Sequence, residues 1–413
     1  MRAVARGLAV RVAVALAMLT PALPGLLGQQ VAHGDYPEAC FVGVGGPEQR
    51  GLIAAPARVD RDLMAVVRRT GGLAGRRVGP MGLRQVRWPS ARERAVGLAA
   101  VVEVPGVAFA EPVLRVVAHR SANDPGLRRQ WGLAKIGAPR AWDVETGVGK
   151  SVTIAVLDTG VDLRHPDLRG RVVNGPNVAY GTDDSQDDES HGTHVAGIAA
   201  AATNNRVGVA GVSWGATVLA IKVLGKNGAG TSCDIAVGII EAADRGADVI
   251  NMSLGGAFPC PAAFRAAVAY AEQKGALVVA SSGNDGFFAS PQSSPANCPG
   301  VLGVGATDIR DEPSTFTTFG STVDVAAPGS EILSTYFDPK KNISTYATQS
   351  GTSMSAPFVS GLAALLKARH PEWAPAQIAA RIVATADDLG PAGRDDFYGA
   401  GRINAARALG GLQ

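Results

Sequence analysis

The run Val152-Thr153-Ile154-Ala155-Val156-Leu157, closed by Asp158-Thr159-Gly160, has almost no polar residue to mark a solvent face. A strand with one wet face alternates apolar and polar residues, whereas an unbroken run suits a strand covered on both faces. Four more such runs stand at Val218–Val223, Asp248–Met252, Leu277–Ala280 and Val301–Gly305. Helical patterns fill the intervals at His191–Ala202, Cys233–Arg245 and Ala262–Lys274, with a later one at Ser353–Arg369. Continuous strands separated by helices predict an α/β domain of three layers, a parallel sheet between helices. In such sheets the chemistry gathers beyond the carboxyl ends of the strands, where Asp158 stands.

Composition agrees with a packed globule. Of 413 residues 46% are hydrophobic and 18% charged, which excludes global disorder. The 52 glycines and 25 prolines fall in turn-like clusters without a period, so fibrous and repeat architectures are excluded. Arg2, Arg6 and Arg11, the apolar run Val12–Leu19, then Pro21, Pro24 and Gly25 predict a removed export signal over residues 1–30. No later run reaches the ~18 apolar residues of a membrane span, so a soluble, secreted product is expected. Residues 31–49, with Cys40, read as a linker. Residues 50–120 read as a small α+β domain, with helical patterns at Asp60–Arg69 and Ala91–Val101 and a β-rich run Val107–Val117. The main domain takes residues 121–413. Residues 1–123 hold 16 Lys and Arg against 8 Asp and Glu, a net of +8, and the remainder 23 against 28, a net of −5. The arginines of the front part are scattered and lack interleaved aromatics, which argues against nucleic-acid binding.

Three blocks bear reactive side chains. Val156-Leu157-Asp158-Thr159-Gly160 leaves a carboxylate at the end of a buried strand, although an Asp there also starts ordinary turns. His191-Gly192-Thr193-His194-Val195-Ala196-Gly197 opens a small-residue helix. Its histidines lack the intervening Glu of a zinc-binding H-E-x-x-H, so His191 reads as a general base and His194 as a packed structural residue. Gly351-Thr352-Ser353-Met354-Ser355-Ala356-Pro357 sets Ser353 at a helix N-terminus, where free N–H groups favour developing negative charge; a plain N-cap is the alternative.

Taken in order, at intervals of 33 and 162 residues, these blocks resemble the Asp, His and Ser boxes of the subtilase family. The resemblance covers most of the chain from Asn123 onward. It implies a serine endopeptidase in which Ser353 forms the acyl-enzyme, His191 moves the proton and Asp158 orients the imidazole, with no cofactor for catalysis. Ser281-Ser282-Gly283-Asn284-Asp285-Gly286 resembles the family's oxyanion segment, with Asn284 as donor. Ser253-Leu254-Gly255 and Gly228-Ala229-Gly230 resemble the two segments that flank an extended polypeptide substrate. Asp285 is a weak candidate for accepting a basic substrate residue.

Thr203-Asn204-Asn205-Arg206-Val207-Gly208-Val209 resembles the family's calcium loop. It implies a structural calcium ion held by Asp124, Asp167, Thr203, Asn205, Val207 and Val209, with Arg206 outward. Asp183, Asp184, Asp187 and Asp188 depart from that pattern and read as a solvated acidic loop. Cys260 and Cys298 are candidates for a disulfide, as suits an exported protein, with Cys233 left over. Pro105-Gly106-Val107-Ala108-Phe109-Ala110-Glu111-Pro112 resembles a subtilase inhibitor prosegment. It implies that the basic front domain inhibits the acidic main domain intramolecularly and is cut near Val116–Asn123, leaving a monomeric enzyme. Asn123-Asp124-Pro125 and Gln130-Trp131-Gly132-Leu133 resemble the mature amino end. One departure is Phe358, where many relatives carry histidine.

Rival readings fit less well. A lipase or esterase expects its serine first and its histidine last. A sedolisin-type acid peptidase would carry Glu at position 191. A catalytically dead scaffold would have lost one of Asp158, His191, Ser353 or Asn284.

Overall fold

The computed structural model describes residues 38–44, 57–78, 83–112, 121–286 and 293–410. The chain divides into two compact units, residues 1–116 and 117–413. The expected export signal, and residues 116–120 of the expected cleavage region, lie outside the described residues.

In the first unit β1 (Glu38–Val44), β2 (Leu73–Val78), β3 (Leu83–Arg87) and β4 (Val107–Pro112) form an antiparallel sheet in the order β2-β3-β1-β4. Helices α1 (Ala57–Arg69) and α2 (Ala91–Val102) bury Leu63, Val67, Leu98 and Val101 in one core with Val86 and Trp88. Ser90 caps α2 by accepting the Glu93 N–H at 3.2 Å. The expected α+β module is therefore present. The linker over 31–49 needs correction, because Glu38–Val44 is a strand inside the sheet, between β3 and β4. Its Phe41-Val42 core has β preference, which the flanking Gly and Pro residues disguise.

The second unit begins with two short helices, α3 (Trp131–Lys135) and α4 (Ala138–Trp142). Seven strands follow in one sheet: β5 (Thr153–Asp158), β6 (Val172–Asn177), β7 (Thr217–Lys222), β8 (Val249–Met252), β10 (Leu277–Ser281), β12 (Val301–Thr307) and β13 (Val325–Pro328). Their order is β13-β12-β10-β8-β5-β7-β6, and every pairing is parallel. Two short strands, β9 (Gly256–Ala257) and β11 (Ser293–Ser294), pair beside it, and β14 (Ile332–Asp338) with β15 (Ile343–Gln349) makes a hairpin. Helices α5 (His191–Ala200), α6 (Ser232–Asp244), α7 (Ala262–Gln273), α8 (Thr352–Arg369), α9 (Pro375–Ala384) and α10 (Ala405–Ala408) complete the unit.

The continuous apolar runs behave as their composition requires. Ile154 and Val156 of β5 join one core with α5 and α8, while Ala155 and Leu157 join the other with α6 and α7. The five strands and four helices read from the sequence are all present within a residue or two. Edge strand β6 was hidden by Gly175 and Pro176, which an edge strand tolerates because one side of it needs no ladder partner. From β5 the chain runs to edge strand β6, returns to β7 beside β5, then crosses to β8 on β5's other side. The order reverses at β5, and Asp158 ends the strand at that switch point.

Candidate active site

Asp158 is fully buried at the carboxyl end of β5. Its Oδ1 accepts the Thr159 N–H at 2.7 Å and meets His191 Nδ1 at 2.8 Å, while Oδ2 has no partner among the described residues. His191 is the first residue of α5, and its side chain stays 27% exposed. Gly192 lets the two elements approach, since a Cβ there would lie 2.1 Å from the Gly160 carbonyl oxygen. Ser190, just before the histidine, has φ +126°, a conformation that non-glycine residues hold at a cost of order 1–3 kcal/mol. Burial pulls the His191 imidazole down, but the charge and hydrogen bond of Asp158, helped by Glu189 and Asp187, outweigh it and leave its pKa raised.

The strain at Ser190 is held by Asp187. This buried carboxylate accepts from the backbone N–H groups of Glu189 (3.0 Å), Ser190 (2.9 Å) and Thr193 (3.1 Å) and from the hydroxyls of Thr159 and Thr193. Thr159 Oγ1 in turn accepts the Gly192 N–H at 3.0 Å. The solvated-loop reading therefore holds for exposed Asp183 and Asp184 but fails for Asp187. Asp188 is pinned as well, at 2.6 Å from the buried Lys222 Nζ, which also donates to the carbonyls of Thr159 and Leu224. His194 is a packed residue as expected: fully buried, with Nε2 3.1 Å from the Ala347 carbonyl and its pKa pushed down to about 4 by burial.

Ser353 sits in the first turn of α8, 9% exposed. Pro357 stands four residues on and has no N–H to offer the Ser353 carbonyl. The Ser253 hydroxyl takes that place and donates to the Ser353 carbonyl at 2.8 Å. Asn251 Nδ2 bonds Ser253 Oγ at 3.0 Å, and the Ser360 hydroxyl donates to Asn251 Oδ1 at 2.8 Å, so β8 and α8 share one buried polar network. The Ser353 hydroxyl itself donates to the Ser253 carbonyl at 3.1 Å. Among the described residues no hydrogen bond joins it to His191, as in many unliganded sites whose bonds tighten only around substrate.

Asn284 follows β10 and is exposed on this face. Its Oδ1 accepts the Thr352 N–H at 2.8 Å and the Thr352 hydroxyl at 2.9 Å, which commits Nδ2 to the donor role. A cleft of about 750 Å³ is lined by His191, Thr159 and Glu189 together with Ser253, Leu254, Gly255, Gly228, Ala229 and Gly230. The glycine-rich segment is set by a turn, Gly228 N–H to the Gly225 carbonyl at 2.9 Å, and by the Thr231 cap of α6, which accepts the Asp234 N–H at 3.1 Å. Asp285 is exposed and not part of that lining. Cys260 and Cys298 form a disulfide behind the cleft wall, and Cys233 is free and exposed on α6. Phe358 is buried over Gly132, where a Cβ would come within 2.7 Å of its ring.

Hydrogen bonds link Asp124, Asp167, Asn205, Val207 and Val209 of the expected calcium loop, while the Thr203 hydroxyl bonds to Ala201 and Gly211. Asp124 and Asp167 are both buried. Asp124 accepts the N–H groups of Asn204 (2.8 Å) and Asn205 (3.2 Å), and Asp167 accepts from Asn205 Nδ2 (2.8 Å) and the Val209 N–H (2.7 Å). The Val207 N–H donates to Asn205 Oδ1 at 2.7 Å, and Thr203 Oγ1 donates to the Ala201 carbonyl at 3.0 Å. Burial, with the charge of Asp124 adding to it, raises Asp167 to about 6 despite its hydrogen bonds. Neither carboxylate pairs with Lys or Arg among the described residues, so two buried carboxylates lie beside the Asn205 amide with only neutral donors, the Tyr346 hydroxyl among them. Those carboxylate and amide oxygens fit a hard cation. Among the described residues no three His, Cys, Asp or Glu side chains gather as a candidate metal cluster.

Comparison with known proteins decides the family. Residues 149–401 match the profile of the subtilase family. The chain belongs to that family. It is 46% identical over 288 residues to thermitase from Thermoactinomyces vulgaris, covering 70% of this chain and 98% of the relative. It is 42% identical over 278 residues to Subtilisin Savinase from Lederbergia lenta, covering 67% of this chain and 97% of the relative. A solved structure of a protease from Pseudoalteromonas arctica superposes with a TM-score of 0.66 at 34% identity, covering 70% of this chain and 99% of that one. This subtilase is a serine endopeptidase acting on polypeptides. Sequence reasoning missed three residues that shape its site: Thr352, which orients Asn284; Asp187, which holds the histidine loop; and Lys222, which ties that loop to β5 and β7.

Proposed function

We propose that the endopeptidase works through an acyl-enzyme on Ser353, with Asp158, His191 and Asn284 in supporting roles, and that it is exported as a precursor which cuts itself. The observation that carries the catalytic part is the 2.8 Å contact of His191 Nδ1 with buried Asp158, in a cleft whose lining residue Ser253 is hydrogen-bonded to Ser353. Asp158 fixes Nδ1 as the protonated nitrogen, so Nε2 keeps a lone pair for the Ser353 proton. With substrate in the cleft the Ser353 hydroxyl turns from the Ser253 carbonyl to Nε2 and its oxygen attacks the scissile carbonyl carbon. The oxyanion takes hydrogen bonds from Asn284 Nδ2 and the Ser353 N–H. His191 hands the proton to the departing amine, then activates water to release the acid and restore Ser353. The Gly228–Gly230 and Ser253–Gly255 segments hold the peptide in extended form.

The basic start of the chain and the prosegment-like stretch at Pro105–Pro112 support export and self-processing. Intact mass and amino-terminal sequence of wild type beside Ser353→Ala test this. A wild type that starts near Asn123 and a variant that stays long fit the proposal. Identical shortening of both assigns the cut to another protease.

We also propose a structural calcium ion held by Asp124, Asp167 and Asn205 with the carbonyls of Thr203, Val207 and Val209. When bound it would neutralise the two buried carboxylates and brace the loop; catalysis does not involve it. Chelation is expected to lower Tm by several degrees, since a ligand at 100 times its Kd stabilises by about 2.7 kcal/mol. The loss should be reversed by added calcium and absent in Asp167→Asn. A Tm indifferent to chelator removes the ion from the account.

A further inference from the structure

The sequence holds two Asn-Gly pairs, Asn174-Gly175 and Asn227-Gly228, and the fold treats them oppositely. Asn174 lies in β6, where its Oδ1 accepts the Ser185 N–H (2.9 Å) and hydroxyl (2.7 Å) and its Nδ2 donates to the Asp183 carbonyl (2.7 Å). Gly175 is buried, and its N–H donates to Ser185 Oγ at 3.3 Å. Asn227 sits at an exposed corner between β7 and α6. There the Gly228 N–H donates to the Gly225 carbonyl at 2.9 Å and the Gly225 N–H to the Ala229 carbonyl at 2.8 Å, a tight turn closed by Gly228 at φ +71°. The Tyr180 hydroxyl accepts the Lys226 N–H at 2.9 Å and anchors the turn one residue earlier. The Asn227 side chain makes a single long bond, Oδ1 with the Ala229 N–H at 3.3 Å, and its Nδ2 has no partner among the described residues. Gly228 has no side chain to shield its nitrogen, and it lines the cleft with Ala229 and Gly230.

We propose that Asn227 is a site of spontaneous covalent modification, deamidation through a succinimide, and that the product remodels the cleft wall. The Gly228 backbone nitrogen, stripped of its proton by hydroxide, attacks Asn227 Cγ. A C–N bond forms, the Cγ–Nδ2 bond breaks, and ammonia leaves with a proton from water. Water then opens the cyclic imide at either carbonyl and gives aspartate or isoaspartate. The sum is a water consumed and an ammonia released, with no oxidant or reductant. The step requires the side-chain amide to swing over the next backbone nitrogen, hence a loosely held amide in a turn that can open. Asn227 meets both conditions, whereas Asn174 would have to break three side-chain bonds within a sheet. Aspartate would place a carboxylate at the cleft margin. Isoaspartate would lengthen the main chain by a methylene directly before Gly228 and so displace the paired bonds between Gly225, Gly228 and Ala229. The consequence for activity rests on the substrate-holding role proposed above for Gly228–Gly230; the modification itself does not.

The test ages the whole protein in mildly alkaline buffer, silenced by a fluorophosphonate against self-digestion, and maps its peptides for a gain of about one dalton and for isoaspartate. Asn227 is expected to convert at least about tenfold faster than Asn174, at a rate that rises with hydroxide. Unstructured synthetic peptides spanning each pair should convert at similar rates, which assigns the difference to the fold. Asn227→Gln, whose longer side chain closes its ring far more slowly, should show no conversion at that position. Wild type aged without the inhibitor should lose kcat/KM severalfold per titrated active site, and Asn227→Gln aged beside it should keep it. An Asn227 that retains its amide as long as Asn174 does overturns the proposal. Conversion of Asn227 that leaves kcat/KM per active site unchanged overturns the remodelling of the cleft wall, counts against the role of Gly228–Gly230, and leaves the modification site standing.

Discussion

Ser353→Ala is expected to lower kcat by about 10⁶ with little change in KM, the size measured when the serine is removed from the related enzyme subtilisin and taken over from it by analogy. The variant loses the oxygen proposed to attack, while the cleft lining proposed to hold the peptide, Gly228–Gly230 and Ser253–Gly255, stays intact. His191→Ala should cost nearly as much, and the double variant little more than either alone, because the three side chains act as one unit. Residual turnover above the uncatalysed rate should remain, since Asn284 still offers its amide to the oxyanion. Steady-state kinetics on one peptide amide check all three variants. Additive losses would mean that Ser353 and His191 do not share a step.

Asn284→Ala is expected to lower kcat about 10²–10³-fold while KM moves little, a range likewise known from subtilisin's oxyanion asparagine. The proposed role of the amide depends on a geometry fixed beforehand. Oδ1 is held by the N–H and hydroxyl of Thr352, so Nδ2 needs no reorientation when charge develops. Interactions made only in the transition state appear in kcat, whereas uniform binding appears in KM. A variant whose KM rises while kcat holds would place Asn284 in substrate binding instead.

The central strands were legible because burial on both faces leaves a composition signal along the chain itself. Val152–Leu157 and Val301–Gly305 needed no partner to be recognised. Edge strands such as Val172–Asn177 carry Gly and Pro, tolerated only because of where they lie in the sheet. Strand β1 was misread for a related reason, as part of a linker, since its pairing partners are more than 40 residues away in sequence. The family was legible from the three blocks and their order. Their supports were not. Nothing local distinguishes Asp187, buried under five donors, from exposed Asp184, or predicts that Glu189 and not Asp285 faces the cleft. The helical pattern Ser353–Arg369 runs through Pro357, and the consequence of that proline, a Ser353 carbonyl left for the Ser253 hydroxyl, exists only once β8 and α8 are packed together.

The central claim is that the Asp158–His191 pair activates Ser353, and covalent labelling with a fluorophosphonate tests it most directly. The rate of adduct formation is followed against pH, and the adduct is located by peptide mass. His191 can accept the serine proton only when neutral, and its carboxylate neighbours raise its pKa. The labelling rate should therefore rise with pH through a midpoint above the ordinary histidine value of about 6.5, with the label on Ser353 alone. Glu189→Gln should move that midpoint down, and His191→Ala should abolish the rise. Label on another residue, or a rate on Ser353 that ignores both pH and His191, would contradict the account.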